Sequence, residues 1–407
     1  MKKQITSSLM SILVGLLAGF VVMMIIALAS PDIAFYRVFK GMGLLISGPF
    51  NGTHIMTNVG NMIFKATPLI MCGLSVAIAF KTGLFNIGAA GQYLMGTLVS
   101  LSIVLNNDCT GKPAKGFFIW LLAVLCGMVA GGIWGCIPGF FKAIFGVNEV
   151  IVCIMTNWIA ANITSWVFSA QKTIQATGKG GYLITTKATG NATPSLGLDK
   201  LFQGANIDLG IFIAVLIALL IHVILNKTTF GFELKSCGYN KDASKYSGMN
   251  EKRNIILSMA IAGALSGLGA ALYYLNPGIE FNFNAAYMKL PDVGFNGIPV
   301  ALLAASNPIG SIFSALFVRY INMGGEYMVS AGFNRYSADI IIALIIYFAG
   351  FTNLFSSILA NINKKKAEKK AIAGENEKCV ENGNEQSTEN ENEKNTENKC
   401  ETVKEAE

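Results

Sequence analysis

The chain has 407 residues, of which 53% are hydrophobic and 14% are charged, and its mean hydropathy is +0.51. A soluble protein of this size would carry about a quarter charged residues. The composition therefore excludes an ordinary soluble protein and predicts a polytopic membrane protein. The net charge of +7 is concentrated around residues 226–253 and 364–370, so it indicates membrane orientation rather than binding to nucleic acid.

The cysteines and histidines show no pattern of a metal or catalytic site. None of the eight cysteines belongs to a CxxC pair, and the chain contains two histidines. Cysteines in apolar segments behave as small hydrophobic residues. No nucleophile–base pair is evident either. We therefore expect a protein that is not an enzyme and that binds no metal or cofactor itself.

The first half of the chain contains five apolar segments, long enough or nearly long enough to cross a bilayer core of about 30 Å. They are residues 9–30, 63–80, 83–105, 117–137 and 149–169. A cleaved signal peptide is the alternative for the first, although its apolar run is longer than a typical signal sequence. Residues 31–61 are predicted as an external loop. Pro68 is predicted early in the second span, where a helix tolerates it, and Pro138 begins a predicted inner loop that ends at Asn148.

The third segment is preceded and interrupted by glycines within KTGLFNIGAAGQYLMGT, residues 81–97. Two amides, Asn86 and Gln92, lie at or inside the predicted membrane boundary. One interpretation is a turn followed by a glycine-rich helix that packs against its neighbours; the other is a polar site on a transport path. Asn157 and Asn162 in the fifth segment are further candidates, whereas Glu149 is best explained as a charge at a helix start.

The second half begins after a polar external loop, residues 170–206. Its predicted segments are residues 207–225, 254–275, a hairpin at 291–323 and a last span at 337–359. Gly294, Gly297, Pro299 and Pro308 interrupt the hairpin, so its backbone must be buried in protein or line a cavity. We predict one transmembrane domain over residues 1–360. The tail, residues 361–407, is basic and then polar, and it is predicted to be disordered and cytoplasmic.

Residues 226–253 form a charged loop with six basic and three acidic side chains, as expected for a cytoplasmic loop. Asn240 is a suitable N-cap, Asp242 falls in a first helical turn, and Gly248 suits a left-handed end. These signals predict a short helix of about two turns. The alternative is a solvated loop that serves only to orient the protein.

The segments count to about ten, five in each half, so any internal repeat must have inverted topology. The third segment of each half is the interrupted one, and paired interruptions point to a transport site between two halves. We therefore expect four amides to lie along a translocation path: Asn86, Gln92, Asn157 and Asn296.

Three motifs resemble the permeases of ABC importers from the group that takes up nucleosides, simple sugars and branched-chain amino acids. The run GFELKSCGYNKDASKYSGMN resembles their coupling loop, LFNIGAAGQ resembles the LFNIGAEGQ signature of nucleoside permeases, and NEVI resembles a further stretch. This chain departs from the family at Ala90 and Asn296, where acidic residues are usual, and at 304–306, where glycines are usual. The matching coupling-loop residues are Gly231, Phe232, Glu233, Leu234, Lys235, Gly238, Asn240, Ala243, Tyr246, Gly248 and Asn250.

The resemblance implies an all-α polytopic membrane protein with a type II-like ABC importer permease fold, and a path for nucleosides. The chain has no Walker A sequence, so ATP and magnesium would bind to a separate ABC ATPase that docks on the coupling loop. Further implied partners are a second, different permease subunit, an external substrate-binding lipoprotein and the lipid bilayer. The implied location is the bacterial inner membrane, with both termini cytoplasmic.

Two alternatives to nucleoside import remain open. Simple sugars are the alternative cargo, because neighbouring subfamilies share most of the pattern. A secondary transporter is the alternative class of machine. Such proteins usually need titratable groups inside the membrane, and this chain offers few: Glu149, Asp292 and Asp339.

Overall fold

The computed structural model describes residues 2–29, 35–170, 183–186, 190–334, 336–349, 351 and 357. The chain divides into a large unit, residues 12–350, and a small unit that joins residues 1–11 with 351–407. In the small unit the described residues are the first turns of the N-terminal helix and residues 351 and 357. The predicted disordered tail and the basic stretch 364–370 therefore lie outside the described residues.

Helices account for most of the described chain, as the composition predicted. They are α1 (Lys2–Ala29), α2 (Tyr36–Ser47), α3 (Ile55–Lys81), α4 (Ala89–Leu105), α5 (Pro113–Phe145), α6 (Glu149–Ala170), α7 (Leu198–Leu201), α8 (Gly210–Lys227), α9 (Thr229–Tyr239), α10 (Lys241–Tyr246), α11 (Glu251–Tyr274), α12 (Phe283–Met288), α13 (Asp292–Leu303), α14 (Pro308–Met328) and α15 (Tyr336–Ala349). Two strands, β1 (Leu183–Ile184) and β2 (Phe281–Asn282), pair antiparallel with Leu183 opposite Asn282.

Six of these helices, α1, α3, α5, α6, α8 and α11, are long and apolar enough to cross a membrane. The pair α13 and α14 passes the same test together but is bent by 120°, which brings the number to seven if the pair is one span. Helix α4 is apolar and shorter, at 17 residues. The all-α polytopic class is therefore confirmed, while the division into ten segments stays a prediction.

The centre of the large unit is α11, which packs against α3, α4 and α5. Its contact with α5 is made through glycines on both helices. A Cβ atom on Gly131 would lie 2.8 Å from Cα of Gly267, and one on Gly135 would lie 3.0 Å from Cα of Gly263. Small residues of this kind let two membrane helices approach until their backbones touch. The glycines of α5 therefore form the face that packs on α11.

Three predicted boundaries were wrong. Residues 138–148 were expected to form an inner loop, but α5 continues through Pro138 to Phe145. Gly139 extends the close contact, because its added Cβ would lie 3.0 Å from Cβ of Met259 on α11, so the neighbouring helix supports the turns around the proline.

The second span begins at Ile55, which puts Pro68 in the middle of α3. The loop 31–61 contains α2, whose buried face packs on α14.

Candidate functional site

The first interruption lies between α3 and α4, where the sequence GLFNIG separates two helices. Helix α3 ends in a Schellman motif: the N–H of Gly83 donates to the carbonyl of Phe80 at 3.1 Å, and that of Leu84 donates to Ala79 at 2.9 Å. Gly83 has φ +71°, a conformation that glycine adopts without steric cost. The interruption thus ends α3 with the carbonyls of Ala79 and Phe80 hydrogen-bonded, while Gly83 itself is exposed.

Asn86 is the centre of the buried hydrogen bonds that hold this interruption. Its Nδ2 donates to Oγ of Ser75 at 3.0 Å and to Oε1 of Gln92 at 2.8 Å. Its Oδ1 accepts from Nε2 of Gln92 and from the backbone N–H of Gly88, both at 3.1 Å. Ser75 in turn accepts from Oγ of Ser266 on α11 at 3.0 Å, or donates to it. We call Asn86, Gln92 and Ser75 the amide cluster.

Asn157 ties α6 to the same interruption. Its Oδ1 accepts from the backbone N–H of Gly91 at 2.8 Å, and its Nδ2 donates to the carbonyl of Ile87 at 3.0 Å. A side chain on Gly91 could not be accommodated, because its Cβ would lie 2.7 Å from that Oδ1. Asn157 therefore satisfies backbone groups at the start of α4 that would otherwise be unpaired inside the protein.

The second interruption, between α13 and α14, has the same backbone geometry. The N–H of Ala305 donates to Leu302 at 2.9 Å and that of Ser306 donates to Ala301 at 2.8 Å, which is again a Schellman pattern. Here the left-handed residues are not glycine: Ala305 has φ +50° and Ser306 has φ +53°. Asn307 then caps α14 by accepting hydrogen bonds from the N–H groups of Ile309 and Gly310.

Helix α13 packs against the first turn of α4 and the middle of α3, on either side of the first interruption. A Cβ atom on Gly294 would lie 2.5 Å from Cα of Ala90, and one on Gly297 would lie 2.8 Å from Cβ of Cys72. The alanine at position 90, where the resembling signature has glutamate, leaves room for this approach. The two interrupted segments predicted from the sequence are therefore in contact.

The four proposed path residues occupy two different environments. Asn86, Gln92 and Asn157 are buried and fully engaged around the first interruption, so the structure brings these three together. Asn296 on α13 is partly exposed and has no hydrogen bond to another described side chain. Asn162, the deeper amide of α6, is exposed and donates to the carbonyl of Trp158 one turn earlier at 2.8 Å.

The charged loop is folded into two short helices whose ends are capped by side chains. Thr228 accepts from the N–H of Gly231 at the start of α9, Asn240 accepts from Ala243 at the start of α10, and Asn250 accepts from Arg253 at the start of α11. The predicted N-cap at Asn240 is confirmed. Gly248, with φ +80°, adopts the expected left-handed conformation just after α10.

Within this loop, three aromatic side chains point away from the protein. Phe232 is 61% exposed, Tyr239 is 90% exposed and Tyr246 is 93% exposed. Other motif residues face inward: Leu234 is buried, and Glu233 accepts from Nδ2 of Asn254 on α11 at 3.0 Å. The motif thus contains residues that shape the loop and residues that offer a surface.

Sequence reasoning missed several residues that matter here. Ser75 belongs to the amide cluster, and Ser266 connects that cluster to α11. Oγ1 of Thr82 pairs with Oγ of Ser258 at 2.7 Å between the end of α3 and α11. Single hydroxyls on apolar helices have no pattern that would identify them. The exposed Tyr239 lies inside the motif run, and α9 itself was not predicted, although Thr228 is a typical N-cap.

Charged groups lie at the edges of the spans. Nζ of Lys142 near the end of α5 forms an ion pair with Oε2 of Glu149 at 2.8 Å, which agrees with a charge placed at a helix start. Asp208, in the loop before α8, accepts from Nδ2 of Asn276 and the N–H of Gly210, yet burial raises its pKa to about 6. Among the described residues no group of three or more His, Cys, Asp or Glu could hold a metal ion.

Comparisons with known proteins connect this geometry to a family. The sequence profile described as "Branched-chain amino acid transport system / permease component" matches residues 58–350. The guanosine ABC transporter permease protein NupP of Bacillus subtilis is 36% identical over 88% of this chain and 97% of its own length. The nucleoside ABC transporter permease protein NupB of Lactococcus lactis is 34% identical, covering 77% and 86%. The glucose ABC transporter permease protein TsgB13 of Haloferax volcanii is 30% identical, covering 70% and 74%. No solved structure matches.

Proposed function

The chain belongs to the permease family of ABC importers, and from this premise we propose that it forms the translocation path of a nucleoside importer. A permease of this kind is a transport component and not an enzyme. It is a multi-pass membrane protein that works with an ATPase and a substrate-binding protein. The proposal of a nucleoside substrate rests on the similarity to the guanosine permease, which extends over nearly the whole length of that relative.

In this proposal the ATPase docks on α9 and α10. A large aromatic side chain that is almost fully exposed on a charged loop is typical of a protein interface, where such residues supply much of the binding energy. Tyr239 and Tyr246 are such side chains, and Phe232 lies on the same pair of helices. Magnesium and ATP would bind to the ATPase, whose closure would move this loop.

The path itself is proposed to run beside the two interrupted segments. Asn296 is the amide whose side chain is open to a passing substrate. The buried amides Asn86, Gln92 and Asn157 border the path by holding the backbone at the start of α4. Alanine at Asn296 should therefore lower the affinity for substrate, whereas alanine at the buried positions should lower uptake by disturbing the helix start.

The remaining parts of the proposal concern partners and orientation. We propose a second, different permease subunit, an external substrate-binding lipoprotein, and a bacterial inner-membrane location with both termini cytoplasmic. The basic residues of the loop that contains α9 and α10 support this orientation.

The test is uptake by proteoliposomes that contain this permease, its ATPase and its second permease, supplied with the binding protein and labelled guanosine, adenosine or glucose. We expect ATP-dependent nucleoside uptake that is lost in Tyr246→Ala. ATP-dependent glucose uptake that is lost in Tyr246→Ala would support an ABC importer but show that its substrate is a sugar. Glucose is the sugar to test because the chain is similar to a glucose permease. Uptake that continues without ATP and stops when the proton gradient is dissipated would favour a secondary transporter instead.

A further inference from the structure

Helix α9 touches the first interruption through glycine backbone on both sides. A Cβ atom on Gly238 would collide with the carbonyl oxygen of Lys81 and lie 3.0 Å from the backbone nitrogen of Gly83. A Cβ atom on Gly83 would lie 3.3 Å from Cα of Gly238. This contact therefore joins the loop that carries the exposed tyrosines to the end of α3 without any intervening side chain.

The opposite end of α9 is fixed on a different helix. Gly231 lies so close to α8 that an added Cβ would collide with the carbonyl oxygen of Ile224 and lie 2.6 Å from Cα of Leu225. The cap of Thr228 on the N–H of Gly231 holds the same turn. Helix α9 is therefore a rigid element of 11 residues, about 16 Å long, with one end on α8 and the other on the first interruption.

Rigid contacts continue from this point into the membrane. Lys81 and Gly83 belong to the Schellman end of α3, and the next turn leads to Asn86 and the amide cluster. From that cluster hydrogen bonds reach α11 through Ser266 and α4 through Gln92. Packed backbone and hydrogen-bonded groups of this kind have few intermediate positions, so they transmit small displacements.

We infer that Gly238 is the positioning residue through which movement of the docking loop reaches the first interruption. Tyr239 is the neighbouring residue and is 90% exposed, so a partner that binds this tyrosine acts one residue away from the contact. The inference rests on the proposed docking role of α9 and α10. Beyond that role, the inference names the contact between Gly238 and the end of α3 as the path by which docking of the ATPase displaces the start of α4.

The first test is Gly238→Ala in the complete importer, which would push the end of α9 away from Lys81. We expect the ATPase to remain bound and to hydrolyse ATP at near the wild-type rate. Uptake should fall at least tenfold, so the number of ATP molecules hydrolysed per substrate should rise by the same factor. An unchanged ratio in a folded, assembled Gly238→Ala complex would overturn the inference.

Two control variants separate this result from general damage and from failure of the proposed function. Gly43→Ala adds the same methyl group to helix α2, where nothing lies within 4 Å of it, and should leave the ratio unchanged. Tyr239→Ala should release the ATPase from the permease altogether. If Tyr239→Ala, Tyr246→Ala and Phe232→Ala all kept the ATPase bound, the docking proposal itself would fail.

A second measurement needs no variant, in case Gly238→Ala does not fold. Hydrogen–deuterium exchange is followed by mass spectrometry in the wild-type importer, with and without a non-hydrolysable ATP analogue. We expect the exchange of amides in residues 82–88 to change together with that of α9. A change in α9 with none in residues 82–88 would also overturn the inference.

Discussion

The two interruptions end a helix in the same way but are held by different forces. At the first, the left-handed residue is Gly83, and the buried side chains of Asn86 and Asn157 hydrogen-bond to the surrounding backbone. At the second, Ala305 and Ser306 occupy the left-handed region, at a cost of roughly 1 kcal/mol or more for each residue that is not glycine. The same Schellman motif thus forms a turn held by buried hydrogen bonds at the first interruption and a strained turn at the second.

The surroundings explain the difference. At the first interruption the side chains of Asn86, Gln92 and Asn157 are buried, so leaving any of these amides unpaired would be costly. The left-handed residues Gly83 and Ala305 are both exposed, but Asn307, the side chain that caps the second interruption, is exposed too. A shared pattern of hydrogen bonds therefore does not imply shared rigidity. Three substitutions test this contrast, and a fourth, at Asp208, measures a pH effect that the interruptions should not influence.

The largest effect is expected for Asn86→Ala. The substitution removes four hydrogen bonds and leaves the amide of Gln92 buried without its partner, which costs about 1–3 kcal/mol for each unpaired group. We expect the midpoint of thermal unfolding in detergent to fall by several degrees and uptake to fall at least tenfold. Asn162→Ala is the control, because that exposed amide bonds only within α6; equal losses in both variants would contradict a special role for the first interruption.

The next effect concerns pH and uses a group outside both interruptions. The carboxyl of Asp208 has a pKa of about 6, against an ordinary value of 3.8 in the unfolded chain. The folded protein therefore binds the proton more tightly, and its stability should fall by about 2 kcal/mol as pH rises from 4 to 7. The Asp208→Asn variant should lose this slope, measured as the unfolding midpoint against pH. Asn86→Ala and Ala305→Gly should keep it, because the side chains at the two interruptions do not titrate there.

A smaller effect is expected for Gly83→Ala. An alanine at φ +71° is strained by about 1–2 kcal/mol, and its methyl group would press on Gly238 at 3.3 Å. The unfolding midpoint should fall by a few degrees. Gly146→Ala, at φ +67° with nothing within 4 Å, measures the strain without the contact. Equal losses in the two variants would mean that the contact with α9 adds nothing to stability.

The smallest effect has the opposite sign. Ala305→Gly relieves a left-handed alanine at the second interruption, and we expect a gain of about 0.5–1 kcal/mol, reduced by the freedom that glycine adds to the unfolded chain. The unfolding midpoint should rise by one or two degrees. A loss of stability would show that the second interruption is not strained, and the contrast between the two turns would disappear.

The sequence predicted the architecture better than the details of the site. Apolar length located the spans, and glycine and proline located both interruptions, because these residues act through local backbone geometry. The burial of Asn86 and Asn157 could not be predicted, since an amide near a membrane boundary is compatible with a water-filled path and with a packed interior. The end of α5 was also mispredicted because it depends on tertiary packing. Whether Pro138 ends the helix is decided by the neighbouring helix, here α11.

Helix α5 has a consequence for the lipid around the protein. Its 33 residues extend about 50 Å, while a bilayer core is about 30 Å thick. Phe140, Phe141 and Phe145 are exposed at its last turns, around Lys142. Because the glycine contact with α11 fixes the tilt of α5, hydrophobic mismatch has to be absorbed by the membrane. Lipids of different acyl length should therefore change the thickness of the bilayer around this permease before they change the angle between its helices.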